Sequence, residues 1–289
     1  MTRKHDGGVT LLFVLVILAL TSAVVVTMVT LSESAVDRSR FYDEATSAQA
    51  LLSAGEATAV IALRRDLATS PEVDHDREVW AKVNQADVAI AGGRFGLALG
   101  DAQGLFNLTN LGTEGVLAQN RLRDILRALD LDTDLALRII ATFSATQPPT
   151  RLAQLRDAAG VSDAELAALA TMVTILPRNT TVNVNAAPVA LLAVLLNNPV
   201  QAKLLDTRRA KLGFLTPADV SALGVILPAG LGFQSTFFRL RVTVQVGTTL
   251  QAQDSLIERG GDADGAADAF VVARESTMAA GSPPPPSTP

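Results

Sequence analysis

The sequence has 289 residues, and its 48% hydrophobic and 18% charged residues exclude a wholly disordered chain. It contains no cysteine and two histidines, His5 and His75, which excludes disulfides and thiolate metal sites and argues against histidine-based triads or multi-histidine metal sites. The net charge of -5 gives no electrostatic reason to expect a nucleic-acid partner.

The first predicted element is a transmembrane helix at residues 9–31. This run contains no charged residue, glycine or proline. At about 1.5 Å per residue it forms a helix of roughly 35 Å, long enough to cross the hydrocarbon of a bilayer. A cleavable secretory signal is the alternative, but its apolar region is normally only about 7–15 residues long.

Residues 1–8 form a short basic leader that ends in Gly8, directly before the apolar run begins at Val9. This arrangement resembles the class III signal of type IV pilins and pseudopilins, which prepilin peptidase cuts after the glycine. Without a Cβ atom, the backbone at Gly8 can lie close to a protease. The sequence therefore predicts cleavage between Gly8 and Val9, with an uncleaved anchor that carries a chance Gly-Gly pair as the alternative.

Residues 32–70 continue the helix, because no proline precedes Pro71. One face carries mostly small residues at helical spacing: Phe41, Ala45, Ala48, Leu52, Gly55, Ala59 and Ala62. Small residues allow close approach to another surface, either this protein's own sheet or a neighbouring helix. We expect a pilin-like helix whose second part lies in the periplasm.

The body of the chain alternates between strand-like and helical patterns. Residues 71–111 are predicted to form the first part of an α/β domain, with a strand at 93–99, and residues 228–275 its second part, with strands at 236–246, 250–258 and 269–274. Between them, residues 112–227 have helical spacing and helix-start signals at Ser162–Glu165 and Thr216–Asp219. The predicted fold is α+β, with an all-helical domain inserted between the strands of a small antiparallel sheet and a disordered proline-rich tail at 276–289.

Two motifs in this body carry a family resemblance. The first is similar to the Asp-x-x-Gly-x-Phe-Asn-Leu-Asn-x-Leu signature of general secretion pathway protein K, the large minor pseudopilin of type II secretion systems. Its matching residues are Asp101, Gly104, Phe106, Asn107, Leu108 and Leu111, with Thr109 in place of the second Asn. The second motif, which contains Asn183 and Asn185, is similar to the family's Ile-Asn-Val-Asn-Thr-Ala signature, with Ala186 for Thr.

The resemblance implies a single-pass protein of the inner membrane of a Gram-negative bacterium, with its C-terminal domain in the periplasm and a methylated mature N-terminus. It implies a non-enzymatic tip subunit that initiates or caps the pseudopilus and supports protein export across the outer membrane. The implied partners are the I-type and J-type minor pseudopilins, the major pseudopilin and prepilin peptidase. A minor pilin of a type IV pilus and a membrane-anchored periplasmic binding module are the alternatives.

Phe13 is the fifth residue after the predicted cleavage site, where major pseudopilins and most pilins carry Glu. That Glu is typically missing from protein K. A carboxylate in a bilayer is costly, and in filaments it is thought to pair with a neighbour's N-terminal amine. A subunit with Phe13 offers no carboxylate to a subunit ahead, while the amine of Val9 can receive one from behind. Phe13 therefore predicts a position at the filament end.

No catalytic residue, metal ligand or cofactor is expected, with calcium as the open alternative. Asp130, Asp132 and Asp134 resemble the start of a calcium loop, but later loop positions lack the required Gly and Glu, which favours helix capping. The stretch from Asp262 to Asp268 is a second candidate. The family's acidic loop after the second insertion helix is replaced here by the uncharged residues 141–149. Asn107, Asn183 and Asn185 are expected to bond backbone groups rather than a ligand.

Overall fold

The computed structural model describes residues 6–69, 72–261 and 267–279. A single helix, α1, runs from Asp6 to Thr69. Residues 11–43 of this helix are exposed, and its second part packs along one face of a sheet. The long N-terminal helix expected from the absence of proline is confirmed.

The sheet is antiparallel, has five strands and follows the order β1-β2-β7-β8-β9. In chain order the described strands are β1 Gln85–Ile90, β2 Gly93–Asp101, β3 Phe106–Asn107, β4 Val173–Thr174, β5 Val182–Asn183, β6 Leu231–Gly232, β7 Phe237–Val246, β8 Thr249–Gly261 and β9 Ala267–Ala279. The two-residue strands form parallel pairs outside the main sheet, β3 with β4 and β5 with β6.

A helical insertion separates β2 from its neighbour β7. Its α-helices are α2 Val116–Ala128, α3 Leu135–Phe143, α4 Leu155–Ala159, α5 Asp163–Leu169, α6 Val189–Leu195, α7 Pro199–Leu212 and α8 Pro217–Ala222. The predicted capping boxes are confirmed: Ser162 and Glu165 exchange hydrogen bonds at the start of α5, as do Thr216 and Asp219 at α8. The predicted α+β architecture, with helices inserted between sheet strands, is confirmed.

The protein has two large hydrophobic cores. One lies inside the insertion and is built mainly from Leu, Ile and Val side chains of its helices. The other lies between α1 and the sheet, where Leu52, Leu63 and Val242 are among the fully buried side chains. A third, small cluster of Ala102, Leu176 and Phe237 is where the insertion packs on the sheet. The insertion therefore has its own interior and meets the sheet along a limited contact.

Several described elements were not predicted from the sequence. The two-residue strands β4 and β5 lie within residues 112–227, which were expected to be all-helical, and each pairs with a short strand outside that stretch. Strands of two residues are too short to show an alternating pattern. Strand β1 is exposed along nearly its whole length and is irregular, with Asp87 at a φ of 52°, so it lacks regular alternation. Helix α7 buries only Ala202 and Leu205, so its apolar stripe is too narrow to recognise. The residues 276–279 form the end of β9, and the rest of the proline-rich tail lies outside the described residues.

Candidate functional site

The apolar part of α1 is the first candidate functional feature. In the described part of the chain one helical stretch, Leu11–Thr69, is long and apolar enough to cross a membrane, and its most apolar window is wholly unburied. Phe13 has 65% of its surface exposed. Gly8 and Val9 lie in the first turns of α1. Cleavage between them and the role of Phe13 stay predictions.

The small-residue face of α1 packs on the protein's own sheet in its second part. Ala48, Leu52 and Ala59 are buried there, whereas Phe41, at the start of the same face, is 55% exposed. Gly55 allows a close approach at the contact, because a Cβ atom at this position would lie 3.0 Å from a methyl carbon of Val242 and would require that side chain to shift. The stripe therefore serves the internal core from about residue 48 onward.

The second candidate feature is a polar network, which we call the seam, where α1, the sheet, the insertion and residues 72–84 meet. We call residues 72–84 the connector, because they lead from α1 to β1. The seam consists of Asp66, Asp74, Asp101, Asn183, Ser235 and Arg259. Two of its members, Asp101 and Asn183, belong to the two family-like motifs, which are far apart in the sequence.

Asp101 and Asn183 are hydrogen-bonded to each other. The Nδ2 group of Asn183 donates to Oδ2 of Asp101 at 2.7 Å, to the carbonyl of Asp74 at 3.1 Å and to the hydroxyl of Ser235 at 3.1 Å. The Ser235 hydroxyl also donates to Oδ2 of Asp101 at 2.6 Å. Asn183 thereby ties the insertion to the end of β2 and to the connector.

Arg259 supplies the positive charge of the seam from the inward face of β8. Its Nη1 donates to Asp66 at 2.7 Å, and its Nη2 donates to a carboxylate oxygen of Asp74 and to the carbonyl of Ser235. The side chains of Arg259, Asp66 and Asp74 are all at most 3% exposed. The guanidinium also lies over the ring of Phe238, 4.6 Å from its centroid. A buried guanidinium thus joins α1 to the connector.

Gly104 brings the two motifs into direct contact. A Cβ atom at this position would lie 2.7 Å from the carbonyl oxygen of Ala186, a separation that real Cβ atoms essentially never show. Three apolar residues of the first motif, Phe106, Leu108 and Leu111, are buried in the core of the insertion. The first motif therefore leaves the sheet at Asp101 and enters the insertion within a few residues.

The motif asparagines bond to backbone groups. Asn107 is fully buried, donates to the carbonyl of Arg178 at 2.8 Å and accepts from the amides of Thr109 and Leu176. Asn185 donates to the carbonyl of Leu215 and accepts from its amide. These contacts agree with the expectation that the asparagines bond backbone groups. That the two motifs mark a member of the protein K family stays a prediction.

Sequence reasoning missed most of the seam. Asp66, Asp74 and Arg259 are charged residues that would ordinarily be assigned to the surface. The inward face of β8 is mostly polar although it includes Ile257, and its outward face includes Leu256, so alternation alone does not identify the buried face. No local sequence signal marks the three charged residues, because Arg259 pairs with acids from two distant segments.

Burial shifts three acidic groups of this region, Asp66, Glu78 and Asp101, toward their neutral forms. Burial raises the pKa of Asp66 to about 6, although Arg259 favours the charged form. Burial raises the pKa of Glu78 to about 7, against hydrogen bonds from the His75 amide and the Trp80 indole. Burial also raises the pKa of Asp101. At these positions the protein favours protonated carboxyl groups more than water does.

Asp66, Asp74 and Glu78 offer ligand atoms that lie within 4.8 Å of one another, the spacing that a metal ion would need. The guanidinium of Arg259 already pairs with two of the three acids, Asp66 and Asp74. The calcium-like run at Asp130–Asp134 leads directly into α3. There Oδ1 of Asp132 accepts a hydrogen bond from the amide of Asp134 at 2.9 Å. The candidate stretch from Asp262 lies outside the described residues except for Asp268, which pairs with Arg64.

His75 lies in the connector and is half-buried. Its ring stacks on Phe214 of the insertion, with 3.9 Å between the centroids, and burial lowers its pKa. The connector is therefore held to the insertion by ring stacking as well as by the seam.

No protein-family model matches the sequence, and no curated protein sequence matches it significantly. Among solved structures, a chain of the GspK-GspI-GspJ complex from the type 2 secretion system of enterotoxigenic Escherichia coli matches with a TM-score of 0.64 at 19% identity. The match covers 84% of this chain and 100% of that chain. The fold is pseudopilin-like. At this identity the match concerns the fold alone.

Proposed function

We propose that the protein is a minor pseudopilin of a type II secretion system, without enzymatic activity. The observation that carries the proposal is the pseudopilin-like fold, combined with an N-terminal helix whose apolar part, including Phe13, is left uncovered by the rest of the protein. A helix of this kind suits an inner-membrane anchor that joins a filament after processing between Gly8 and Val9. The domain that follows would then lie in the periplasm.

Within the pseudopilus we place the protein at the tip. Glu44 on α1 bonds to Thr248 in the hairpin between β7 and β8, whereas Asp66 bonds to Arg259 at the other end of β8. The sheet therefore runs along α1, and the seam with its insertion lies at the end farthest from the apolar segment. A bulky unit there is tolerated at the end of a filament but would clash within a tightly wound shaft.

Phe13 supports the same position. The apolar segment 9–31 contains no acidic residue that could reach the N-terminal amine of a subunit ahead. After cleavage, the charged N-terminal amine of Val9 could still pair with the glutamate carboxylate of a subunit behind it. We propose the I-type and J-type minor pseudopilins as neighbours, by analogy with the named components of the matching complex. We further propose the major pseudopilin as the subunit below them.

Processing is the sharpest test of this proposal. The full chain is expressed in a Gram-negative host that contains prepilin peptidase, and the N-terminus of the purified protein is read by mass spectrometry. We expect a chain that begins at Val9 with a methylated amine. Gly8→Glu should block the cut, because a charged side chain replaces the small residue at the scissile bond, whereas the matched change Gly7→Ala should leave it intact.

A chain that retains Met1 in the presence of active peptidase would contradict the pseudopilin assignment and favour an uncleaved periplasmic binding module. Co-purification of the processed full chain with full-length I-type and J-type pseudopilins tests the tip position. Recovery of the complex supports that position. Even labelling along isolated filaments by immunogold electron microscopy would overturn it and favour a minor pilin.

A further inference from the structure

The seam and the connector bury more negative than positive charge. Asp66, Asp74 and Glu78 are 1%, 1% and 8% exposed, and they offer carboxylate oxygens within 4.8 Å of one another. One guanidinium, that of Arg259, pairs with Asp66 and Asp74. Half-buried Asp101 adds another carboxyl group. Ionised carboxylates in excess of their cations are costly to bury, so such a cluster holds protons or a cation.

The three acids differ in how well their charge is compensated. Asp74 has an ion pair with Arg259 and a hydrogen bond from the Ser235 amide at 2.6 Å. Asp66 has the ion pair with Arg259, but its Oδ1 is buried without a hydrogen-bond partner. In the described part of the chain Glu78 has no cation within ion-pair distance and accepts only from the amide of His75 and the indole of Trp80, both at 2.9 Å.

We propose that Glu78 is a proton-holding latch of the seam: it carries a proton in acidic to neutral solution, and loss of that proton in alkaline solution loosens the connector from α1 and the sheet. The connector is the segment through which this effect spreads. Trp80 donates to Glu78 and packs edge-on against Phe238 of β7, while Asp74, four residues before Glu78, bonds to Ser235, Asn183 and Arg259.

The direction of the pH dependence follows from burial. Folding raises the pKa of Glu78 from 4.5 to about 7, so the folded state binds this proton more tightly than the unfolded chain. The resulting stabilisation is fully present below pH 4.5 and is lost as the pH rises through about 7. Burial raises the pKa of Asp66 to about 6, so its protonation contributes to stability in the same direction. The ion pair with Arg259 opposes this shift, because it favours the charged carboxylate.

The groups that face the latch come from every element around it. Alkaline solution leaves Arg259 charged, so ionised Glu78 adds to the negative charge of Asp66 and Asp74, and this repulsion favours the open connector. The insertion and the chain that leads into β7 contribute neutral groups, the Asn183 amide and the Ser235 hydroxyl. The charged and titratable groups around it are Asp66 from α1, Asp74 and His75 from the connector, Asp101 from β2 and Arg259 from β8. Asp76 and Arg77 follow His75 in the connector and are exposed.

Trp80 makes the latch directly observable, because it is the only tryptophan in the sequence and its indole N–H donates to Glu78. The experiment follows Trp80 fluorescence of the full chain in detergent from about pH 5 to about pH 9, with thermal unfolding measured at the same points. We expect one fluorescence transition near pH 7 and a melting temperature that falls by a few degrees across it.

Glu78→Gln keeps an oxygen that can accept from Trp80 and His75 but cannot ionise. It should abolish the transition and raise the melting temperature on the alkaline side. The matched control is Glu72→Gln, an exposed residue of the same connector, which should retain the transition. His75→Gln should also retain it. A transition that persists in Glu78→Gln, or that disappears in His75→Gln, overturns the proposal.

Adding calcium or magnesium alone to the full chain tests whether the three acids hold a proton or bind a metal ion. No effect of millimolar concentrations on the transition supports the latch. In the opposite outcome, either ion removes the transition and raises the melting temperature, with the rise absent in Glu78→Gln. That result would overturn the proposal and assign the three acids to a cation site. A wild-type chain without a fluorescence transition in this pH range overturns it as well.

Discussion

Helix α1 meets the sheet through two sides that differ in chemistry. On the side of β7, Leu52 and Leu63 are buried together with Leu240, Val242 and Val244. On the side of β8 and β9, the carboxylate of Glu56 receives hydrogen bonds from Gln253, Ser255 and Arg274, and Asp66 pairs with Arg259.

The two sides contribute differently to the fold. Burial of apolar side chains is not directional, so the β7 side stabilises the contact without fixing where along the sheet the helix lies. Ion pairs and hydrogen bonds need particular partners at particular distances, so the polar side fixes the register of α1 on the sheet. Glu44, Glu56 and Asp66 each meet a different part of β8 and its turn.

The largest effect is expected from removing the buried cation. Arg259→Leu leaves Asp66 and Asp74 buried without their partner, which should cost about 4 kcal/mol of the free energy of unfolding near neutral pH. Denaturant unfolding of the full chain in detergent measures this loss. Part of the stability should return in acid, because the pKa of Asp66 is raised by burial and its carboxyl group is then neutral.

Arg241→Leu is the matched control for Arg259→Leu, because Arg241 lies on the outward face of β7 with a side chain that is 60% exposed. It should change stability by about 0.5 kcal/mol or less. Equal losses from the two substitutions would show that the polar side has no special role.

The apolar side is tested by Leu63→Ala. Leu63 is fully buried between α1 and the sheet, and its truncation leaves a cavity that should cost about 3 kcal/mol with little dependence on pH. Ile61→Ala, at a position on the same helix that is 54% exposed, should cost far less. A strongly pH-dependent loss for Leu63→Ala would contradict the division between the two sides.

The smallest effect is expected at the exposed rim of the polar side. Glu56→Gln removes the ion pair with Arg274, whose side chain is 57% exposed, and should cost about 1 kcal/mol. The hydrogen bond from Arg274 lowers the pKa of Glu56, so its stabilisation is present above the ordinary glutamate pKa and lost as the pH falls below it. The difference from wild type should therefore shrink in acid, and Glu33→Gln on exposed α1 should show no such trend.

Elements that depend on local patterns could be predicted from the sequence. The apolar run 9–31 and the absence of proline before Pro71 predict α1, and the capping residues at Ser162 and Thr216 predict helix starts that the structure shows. Alternation in residues 236–246 predicts a strand, which the structure shows as β7. These signals are local, because hydrophobic periodicity and helix capping involve residues that are close together in the chain.

The identity of the buried charged residues could not be read from the sequence, because it depends on contacts between distant segments. Arg259, Asp66 and Asp74 are buried because segments up to 193 residues apart bring their charges together, and the meeting of Asp101 with Asn183 spans 82 residues. A buried charge is stable only beside its partner, so neither residue of such a pair reveals the site alone. The exposed edge strand β1 and helix α7 were missed for the related reason that their positions are fixed by neighbours rather than by a strong pattern of their own.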